Sequence, residues 1–193
     1  MNRLRTTKTA HALCLHTLHG MAALALLLLA LALGAPIGAD PGKENRAPDL
    51  GDCQNLQVPA GNMVASHLYA KGVQIYRWNG ASWIFVAPEA LLFADAGYRG
   101  VVGIHYAGPT WESHSGSKVV GMVLDRCTPD PDAISWLLLR AASSEGSGIF
   151  HRVTFIQRVN TAGGKAPTNP GTFPGEVARV PYTTEYFFYR AHH

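Results

Sequence analysis

The segment "GIHYAGPTWESHSGS", residues 103–117, concentrates side chains that could do chemistry. Imidazole and carboxylate groups are ligands of zinc and copper. Further histidine or aspartate side chains elsewhere in the chain could complete a coordination set. This metal-site hypothesis names His105, Glu112 and His114, with His67, His151 or Asp95 as further donors. No compact metal motif such as H-E-x-x-H is present, so the ligands would have to meet through the fold. A histidine hydrogen-bonded within a β-sheet is therefore the favoured interpretation of His105.

Patterns specific to other enzyme classes are incomplete. The serines of "SHSGS", residues 113–117, lie beside a histidine, but the nucleophile motif G-x-S-x-G is absent and serines in turns usually bond to nearby backbone. The segment "TAGGKAP" lacks both ends of a phosphate-binding P-loop. Glu89 and Glu112 could form an acid/base pair for glycoside hydrolysis, although the sequence does not fix their separation. Enzymatic activity is left open, and a protein without it is favoured.

A binding function is the interpretation that aromatic composition favours. Four tryptophans and seven tyrosines on a β scaffold suit the stacking of sugar rings or peptides. We expect the contact surface to comprise residues 106–117 and the Gly/Pro-rich loop of residues 160–176. The predicted ligand-contact residues are Tyr106, Trp111, Glu112, His114 and Lys165.

The elements that must position these residues are short β-strands. Runs rich in β-branched and aromatic residues alternate with Gly, Pro, Asn and Asp from residue 53 onward, and no helical pattern separates them. Residues 53–193 are thus predicted to form one all-β domain, an antiparallel β-sandwich or barrel of about 8–10 short strands. Asn79-Gly80 predicts a tight hairpin turn between Val73–Trp78 and Ser82–Val86. The apolar run Ala133–Ala142 is compatible with a buried strand or a short helix.

The N-terminus has the layout of a secretory signal peptide over residues 1–39. Basic residues precede the apolar run Met21–Leu33, and small residues follow it, so cleavage after Gly34 or Ala39 is expected. The alternative is an uncleaved membrane anchor over residues 21–37. Residues 40–52 are polar and predict a disordered leader. A secreted or periplasmic protein follows, with membrane contact only through an uncleaved N-terminal segment.

Charge and cysteine content agree with export. Three of the 16 Lys and Arg residues precede residue 40, which leaves 13 to match the 13 Asp and Glu residues, so the remaining chain is neutral. A neutral chain without a basic cluster argues against nucleic acid as a partner. Once Cys14 leaves with the signal, Cys53 and Cys127 remain as an even pair, which predicts a disulfide in an oxidising compartment. Two unpaired buried thiols are the alternative.

A succession of phrases carries a family resemblance: "GVQIYRW" from Gly72, "APEALL" from Ala87, "GIHYAGPTWESHSGSKVVG" from Gly103, "FIQRVNTAGGKAP" from Phe155 and "VPYTTEYFFY" from Val180. The chain resembles, over about residues 58–190, the exported bacterial and fungal family catalogued as domain of unknown function 3455. That resemblance implies membership without implying an activity. The signal peptide, the neutral charge and the failure of every specific catalytic motif lead us to expect an exported binding or envelope-associated β module without a cofactor, whose unknown ligand is a carbohydrate or a peptide. One alternative is a metal-dependent enzyme using His105, Glu112 and His114, and another is a purely structural surface protein with no small ligand.

Overall fold

Eight antiparallel strands close into a single barrel, in which each strand pairs with its neighbour in sequence and the last pairs with the first. The computed structural model describes residues 46–192; the predicted signal segment and residues 40–45 of the leader lie outside the described residues. The strands are β1 (Asn62–Trp78), β2 (Trp83–Phe93), β3 (Val101–Tyr106), β4 (Thr110–Ser113), β5 (Lys118–Cys127), β6 (Trp136–Glu145), β7 (Val153–Gly163) and β8 (Val177–Ala191). The all-β antiparallel prediction is confirmed, and the architecture is the barrel.

Strand alternation divides the side chains between the inside and the outside of the barrel. On β8, the run "YFFY" is buried on both faces: Tyr186 and Phe188 belong to the interior cluster, and Phe187 and Tyr189 belong to a second cluster outside the wall. The outer cluster exists because residues 50–58 cover that face. A continuous apolar run on β8 therefore marks a strand with protein on both sides.

The predicted hairpin and the ambiguous apolar run both form strands. β1 and β2 pair from Trp78 opposite Trp83, and the turn between them has four residues. Asn79 specifies that turn, because its side-chain oxygen accepts hydrogen bonds from the backbone N–H groups of Ala81 and Ser82 at 2.9 and 2.8 Å. The run Ala133–Ala142 supplies most of β6, which is a strand and not a helix.

One end of the barrel is filled by large side chains. The most deeply buried of them include Trp111, Phe150 and Phe188, with Phe150 and Phe188 ring centroids 4.7 Å apart. Gly121 makes room for this packing, since a Cβ there would lie 3.0 Å from the Trp111 ring. The turns 94–100 and 114–117 and the loop 146–152 lie at this filled end.

The segment preceding β1 is fastened to the outside of the wall. Leu50, Cys53 and Leu56 are buried against β6, β7 and β8, and the backbone of Gln54–Leu56 forms a short 3₁₀-helix. The predicted disulfide is confirmed, joining Cys53 to Cys127 at the end of β5. Packing therefore begins at Leu50, within the leader predicted to be disordered, because that side chain fills the outer apolar cluster. No helix in residues 46–192 is long and apolar enough to cross a membrane.

Candidate functional site

The end of the barrel opposite the filled end is open, and we call this open end the mouth. A gap interrupts the barrel wall there. β3 and β4 are only six and four residues long. β2 pairs with β3 only from Ala90 onward, and β5 pairs with β4 only up to Val120. Residues 83–89 of β2 and 121–127 of β5 consequently have no strand partner on this side among residues 46–192. We call the space between these two edges the notch.

A cavity of about 500 Å³ occupies the mouth and reaches the notch. Its walls come from six strands and from the connections at the same end of the barrel. The lining residues are Gln74, Tyr76, Phe85, Val86, Pro88, His105, Gly108, Pro109, Val123, Arg126, Thr128, Ala133, Ile134, Ser135, Leu137, Arg158 and Lys165. Eight-stranded barrels have an interior wide enough to hold one small ligand, and this volume lies within the range of ligand pockets.

The notch is bordered by exposed apolar side chains. On the β2 edge Phe85 and Val86 are 50% and 48% exposed, and on the β5 edge Val123 is 37% exposed. All three line the cavity. Further exposed apolar residues flank them on the same two strands: Ile84, Met122 and Leu124. A cluster of apolar residues exposed on two strand edges is typical of a site that binds an apolar molecule or partner.

His105 forms part of the inner wall as a neutral imidazole. It is 2% exposed, and its Nδ1–H donates to the carbonyl of Thr110 over 2.8 Å. Because a carbonyl only accepts, Nε2 is left as an acceptor. The ring stacks on Trp111 at a centroid distance of 4.5 Å and meets Tyr186 edge-on at 5.2 Å. Burial lowers the pKa of His105 to about 3; the Thr110 bond opposes this shift and the charge of Arg158 adds to it.

Several buried polar groups near this wall meet no hydrogen-bond partner at good geometry within residues 46–192. The atoms concerned are Gln74 Nε2, Trp111 Nε1, Tyr182 Oη and Tyr186 Oη. They interact mainly with one another, because Tyr182 lies beside Gln74 and Tyr186, and Tyr186 lies beside Trp111. Burial raises the pKa of both tyrosine hydroxyls, and the neighbouring Tyr186 adds to the rise at Tyr182, so both remain protonated. Leaving a buried donor unpaired costs about 1–3 kcal/mol. Of these side chains Gln74 also lines the cavity.

Arg158 supplies a positive charge to the same wall. It projects inward from β7, half-buried, and its Nε–H and Nη2–H donate to the carbonyl of Ser135 at 3.1 and 2.7 Å. Within residues 46–192 no carboxylate forms an ion pair with it. Burial raises the pKa of the tyrosines in this wall, and the charge of Arg158 lowers it; the tyrosines are Tyr76, Tyr182 and Tyr186. At His105 burial and the charge of Arg158 both lower the pKa.

Comparison with known families identifies the segment that builds this site. Residues 59–190 match a family described as a protein of unknown function, DUF3455. The chain belongs to the DUF3455 family. The match confirms the resemblance drawn from the sequence, and it includes every residue that lines the cavity. Comparisons with curated proteins and with solved structures find no match.

In this DUF3455 chain the predicted ligand-contact residues do not form one surface. Lys165 lines the cavity, and its Nζ donates to the carbonyl of Pro131 over 2.6 Å. Trp111 is 1% exposed and contacts His105 in the wall. The remaining three lie elsewhere: Tyr106 and Glu112 face outward, with the tyrosine hydroxyl donating to the carboxylate over 2.7 Å, and His114 is exposed on a turn at the filled end.

The three residues of the metal hypothesis also stay apart. Glu112 pairs in register with Ile104, which is exposed on the outer face, whereas His105 points into the barrel. In the described part of the chain no group of three or more His, Cys, Asp or Glu side chains is arranged to hold a metal ion. His67, considered as an additional ligand, instead lies 2.6 Å from the carboxylate of Glu185 and stacks on Phe187.

The serines of the SHSGS turn have a structural role at the filled end. Ser113 Oγ lies 2.8 Å from the hydroxyls of both Ser115 and Ser117, and Ser117 Oγ accepts the backbone N–H of Phe150. Glu89 forms an ion pair with Arg179 at 2.8 Å on the outer surface. These arrangements connect the serines and Glu89 to neighbouring strands and loops instead of to the cavity.

Sequence reasoning missed most of the cavity. Gln74 and Arg158 lie in runs that predict strands, where a single polar residue is indistinguishable from one that faces solvent. Arg158 points into the barrel, whereas its neighbours Gln157 and Val159 point outward and are buried under the covering N-terminal segment. The alternation of polar and apolar residues around Arg158 therefore does not show which side chains face the interior. The signal that could have indicated the cavity is the run of three consecutive apolar residues 84–86, which are exposed in the structure. Exposed apolar runs on a strand are uncommon unless they form a binding surface.

Proposed function

We propose that this DUF3455 protein is an exported binding protein that holds one small, mainly apolar molecule in the mouth of its barrel. The observation that carries the proposal is the cavity of about 500 Å³ that reaches a notch edged with Phe85, Val86 and Val123. Burial of a ligand against these side chains is favourable at roughly 25 cal/mol per Å² of apolar surface removed from water. Affinity then depends on how well the ligand fills the cavity.

The position of the aromatic residues supports an apolar ligand over a carbohydrate. Stacking on sugar rings needs exposed aromatic faces. Trp111 is buried under the cavity wall, and Trp78 is buried against Gly171 of the loop that follows β7. The exposed side chains at the notch are mostly aliphatic, which suits alkyl chains or fused rings.

Two further features support export. The first 39 residues have the layout of a signal peptide, and the disulfide between Cys53 and Cys127 is of the kind that persists in oxidising compartments. A binding protein in such a compartment can carry or sequester an apolar molecule that dissolves poorly in water.

The test is a fluorescence titration with the uncharged apolar dye N-phenyl-1-naphthylamine. The full chain is expressed in an exporting host, and the protein is purified without detergent. We expect saturable binding of one dye per chain. Val123→Trp fills the cavity from the β5 edge and should weaken binding tenfold or more, since Val123 lines the cavity.

The matched control is Met63→Trp. Met63 is an apolar residue at the start of β1, at the filled end of the barrel; it is 52% exposed and does not line the cavity, so this variant should bind the dye like the wild type. Absence of saturable binding by the wild type would refute the proposal. Equal weakening by both variants would also refute it, because the dye would then bind to the exposed surface.

A further inference from the structure

The charges that line the cavity are of one sign. Among residues 46–192, Arg126, Arg158 and Lys165 line it, and no Asp or Glu does. The chain outside the N-terminal segment is neutral overall, so this local excess of positive charge is a property of the mouth. In an apolar cavity a cation without a counter-charge is costly, and an anion brought by a ligand removes that cost.

Arg158 is the cation placed to bind such an anion. Two of its N–H groups are fixed by the Ser135 carbonyl, which holds the guanidinium in place and leaves other N–H groups for a second acceptor. A guanidinium is planar and presents paired donors that match the two oxygens of a carboxylate. The immobilised geometry lowers the entropy lost when a ligand binds.

A second, independent observation points to an acceptor in the ligand. Gln74 is 2% exposed and lines the cavity, and within residues 46–192 its Nε2 meets no acceptor at good hydrogen-bond geometry. The nearby hydroxyl of Tyr182 interacts with this amide but can accept only one of its two N–H groups. An amide N–H is a donor only, so the group that completes it must be an acceptor. Gln74 projects from β1, and Arg158 projects from β7 on the other side of β8. Donors from two separate strands therefore serve the same cavity.

We propose that the ligand is an amphipathic carboxylate, whose head group binds Arg158 and Gln74 and whose apolar tail runs along the notch between Phe85 and Val123. The inference rests on the proposed function, and it adds the chemical class and the orientation of the ligand. A medium-chain fatty acid and a two-ring aromatic acid have this chemistry and a suitable size for the cavity.

Matched probes with the same alkyl chain test the head group. Decanoate, decanol and decyltrimethylammonium are each titrated at pH 8 against protein loaded with N-phenyl-1-naphthylamine. We expect decanoate to displace the dye at a concentration at least tenfold lower than decanol, and the cationic probe to be the weakest. Arg158→Met should abolish the preference for decanoate over decanol while dye binding persists.

Two further variants separate the role of the side chain from that of charge in general. Arg140→Met removes an exposed arginine from β6, next to β7, and should keep the tenfold preference. Arg158→Lys keeps the charge without the planar pair of donors and should reduce the preference only in part. Folding of each variant is checked by circular dichroism. If Arg158→Met does not fold, the preference of the wild type for decanoate over decanol decides whether the ligand is a carboxylate.

The outcomes distinguish this inference from the proposed function. Dye binding with equal affinity for decanoate and decanol would overturn the carboxylate inference and leave the binding function intact. Failure of the dye and all three probes to bind would overturn both. Loss of the preference in Arg140→Met as well would show that overall charge, and not Arg158, attracts the anion.

Discussion

Replacing His105 by Phe should remove a pH-dependent part of the stability of this protein. His105 is fully buried between Trp111 and Tyr186, and burial lowers its pKa to about 3 from the usual 6.5. Arg158 is the charged group that acts on it, and it also disfavours protonation. Phe keeps an aromatic ring for the stack on Trp111 and cannot take up a proton.

The sign follows from proton linkage. Between pH 6.5 and pH 3 the unfolded chain protonates His105 and the folded chain does not, so the unfolded state binds more protons. The free energy of unfolding therefore falls as the pH falls through this window, by about 1.4 kcal/mol per pH unit. From pH 7 to pH 4 the contribution of His105 to this loss is about 3 kcal/mol.

The assay is urea denaturation at pH 7, 6, 5 and 4, followed by tryptophan fluorescence with the disulfide intact. The difference in unfolding free energy between wild type and His105→Phe isolates the histidine, because other titrating groups cancel. Loss of the hydrogen bond to Thr110 lowers the stability of the variant at every pH and changes only the offset. His114→Asn, a change at an exposed turn, is the control.

The reasoning would be refuted by a difference that stays constant within about 1 kcal/mol from pH 7 to pH 4. That result would mean that His105 is as easily protonated in the folded barrel as in the unfolded chain, for instance because water enters the wall. A slope of equal size in His114→Asn would refute it as well, because the pH dependence would then not be specific to His105.

Two further predictions concern the disulfide and the packing at the filled end. Cys53 and Cys127 are 74 positions apart, so reduction of their disulfide should lower the free energy of unfolding by about 4 kcal/mol. Urea denaturation with and without reductant measures this change. An unchanged urea midpoint would contradict the chain-entropy argument. Gly121→Ala places a Cβ 3.0 Å from both Trp111 and Leu139 and should cost about 1–2 kcal/mol, measured as a lower thermal midpoint. A midpoint at or above that of the wild type would mean that the two side chains move aside freely.

The strands and the disulfide were predictable because their signals are local or countable. Alternation and turn residues identify strands without knowledge of their partners, and an even pair of cysteines predicts its own bond once export is assumed. The choice between sandwich and barrel was not predictable. It depends on whether β8 pairs with β1, an interaction between positions such as Tyr69 and Glu185 that local sequence patterns do not reveal.

The candidate site was harder to predict for a related reason. The residues 103–117 looked like one chemical segment, but strand alternation places His105 and Trp111 inside the wall and Tyr106 and Glu112 outside it. The cavity instead draws on six strands, and its inner face depends on bulges that shift the register, such as the one between Val123 and Asp125. A bulge moves later side chains to the opposite face, so the inward positions could not be counted from the sequence.

The disulfide explains how the notch can stay open without loosening the barrel. In the part of the chain that the structure describes, β5 has no strand partner on its β4 side beyond Val120. An exposed strand edge of this kind tends to fray or to pair with other chains. Cys127 ends that edge and is joined to Cys53 in the packed N-terminal segment. The Asn55 side chain also donates to the carbonyl of Arg126 over 3.2 Å. The segment before β1 thus holds the free edge from outside and keeps the apolar side chains of the notch in place.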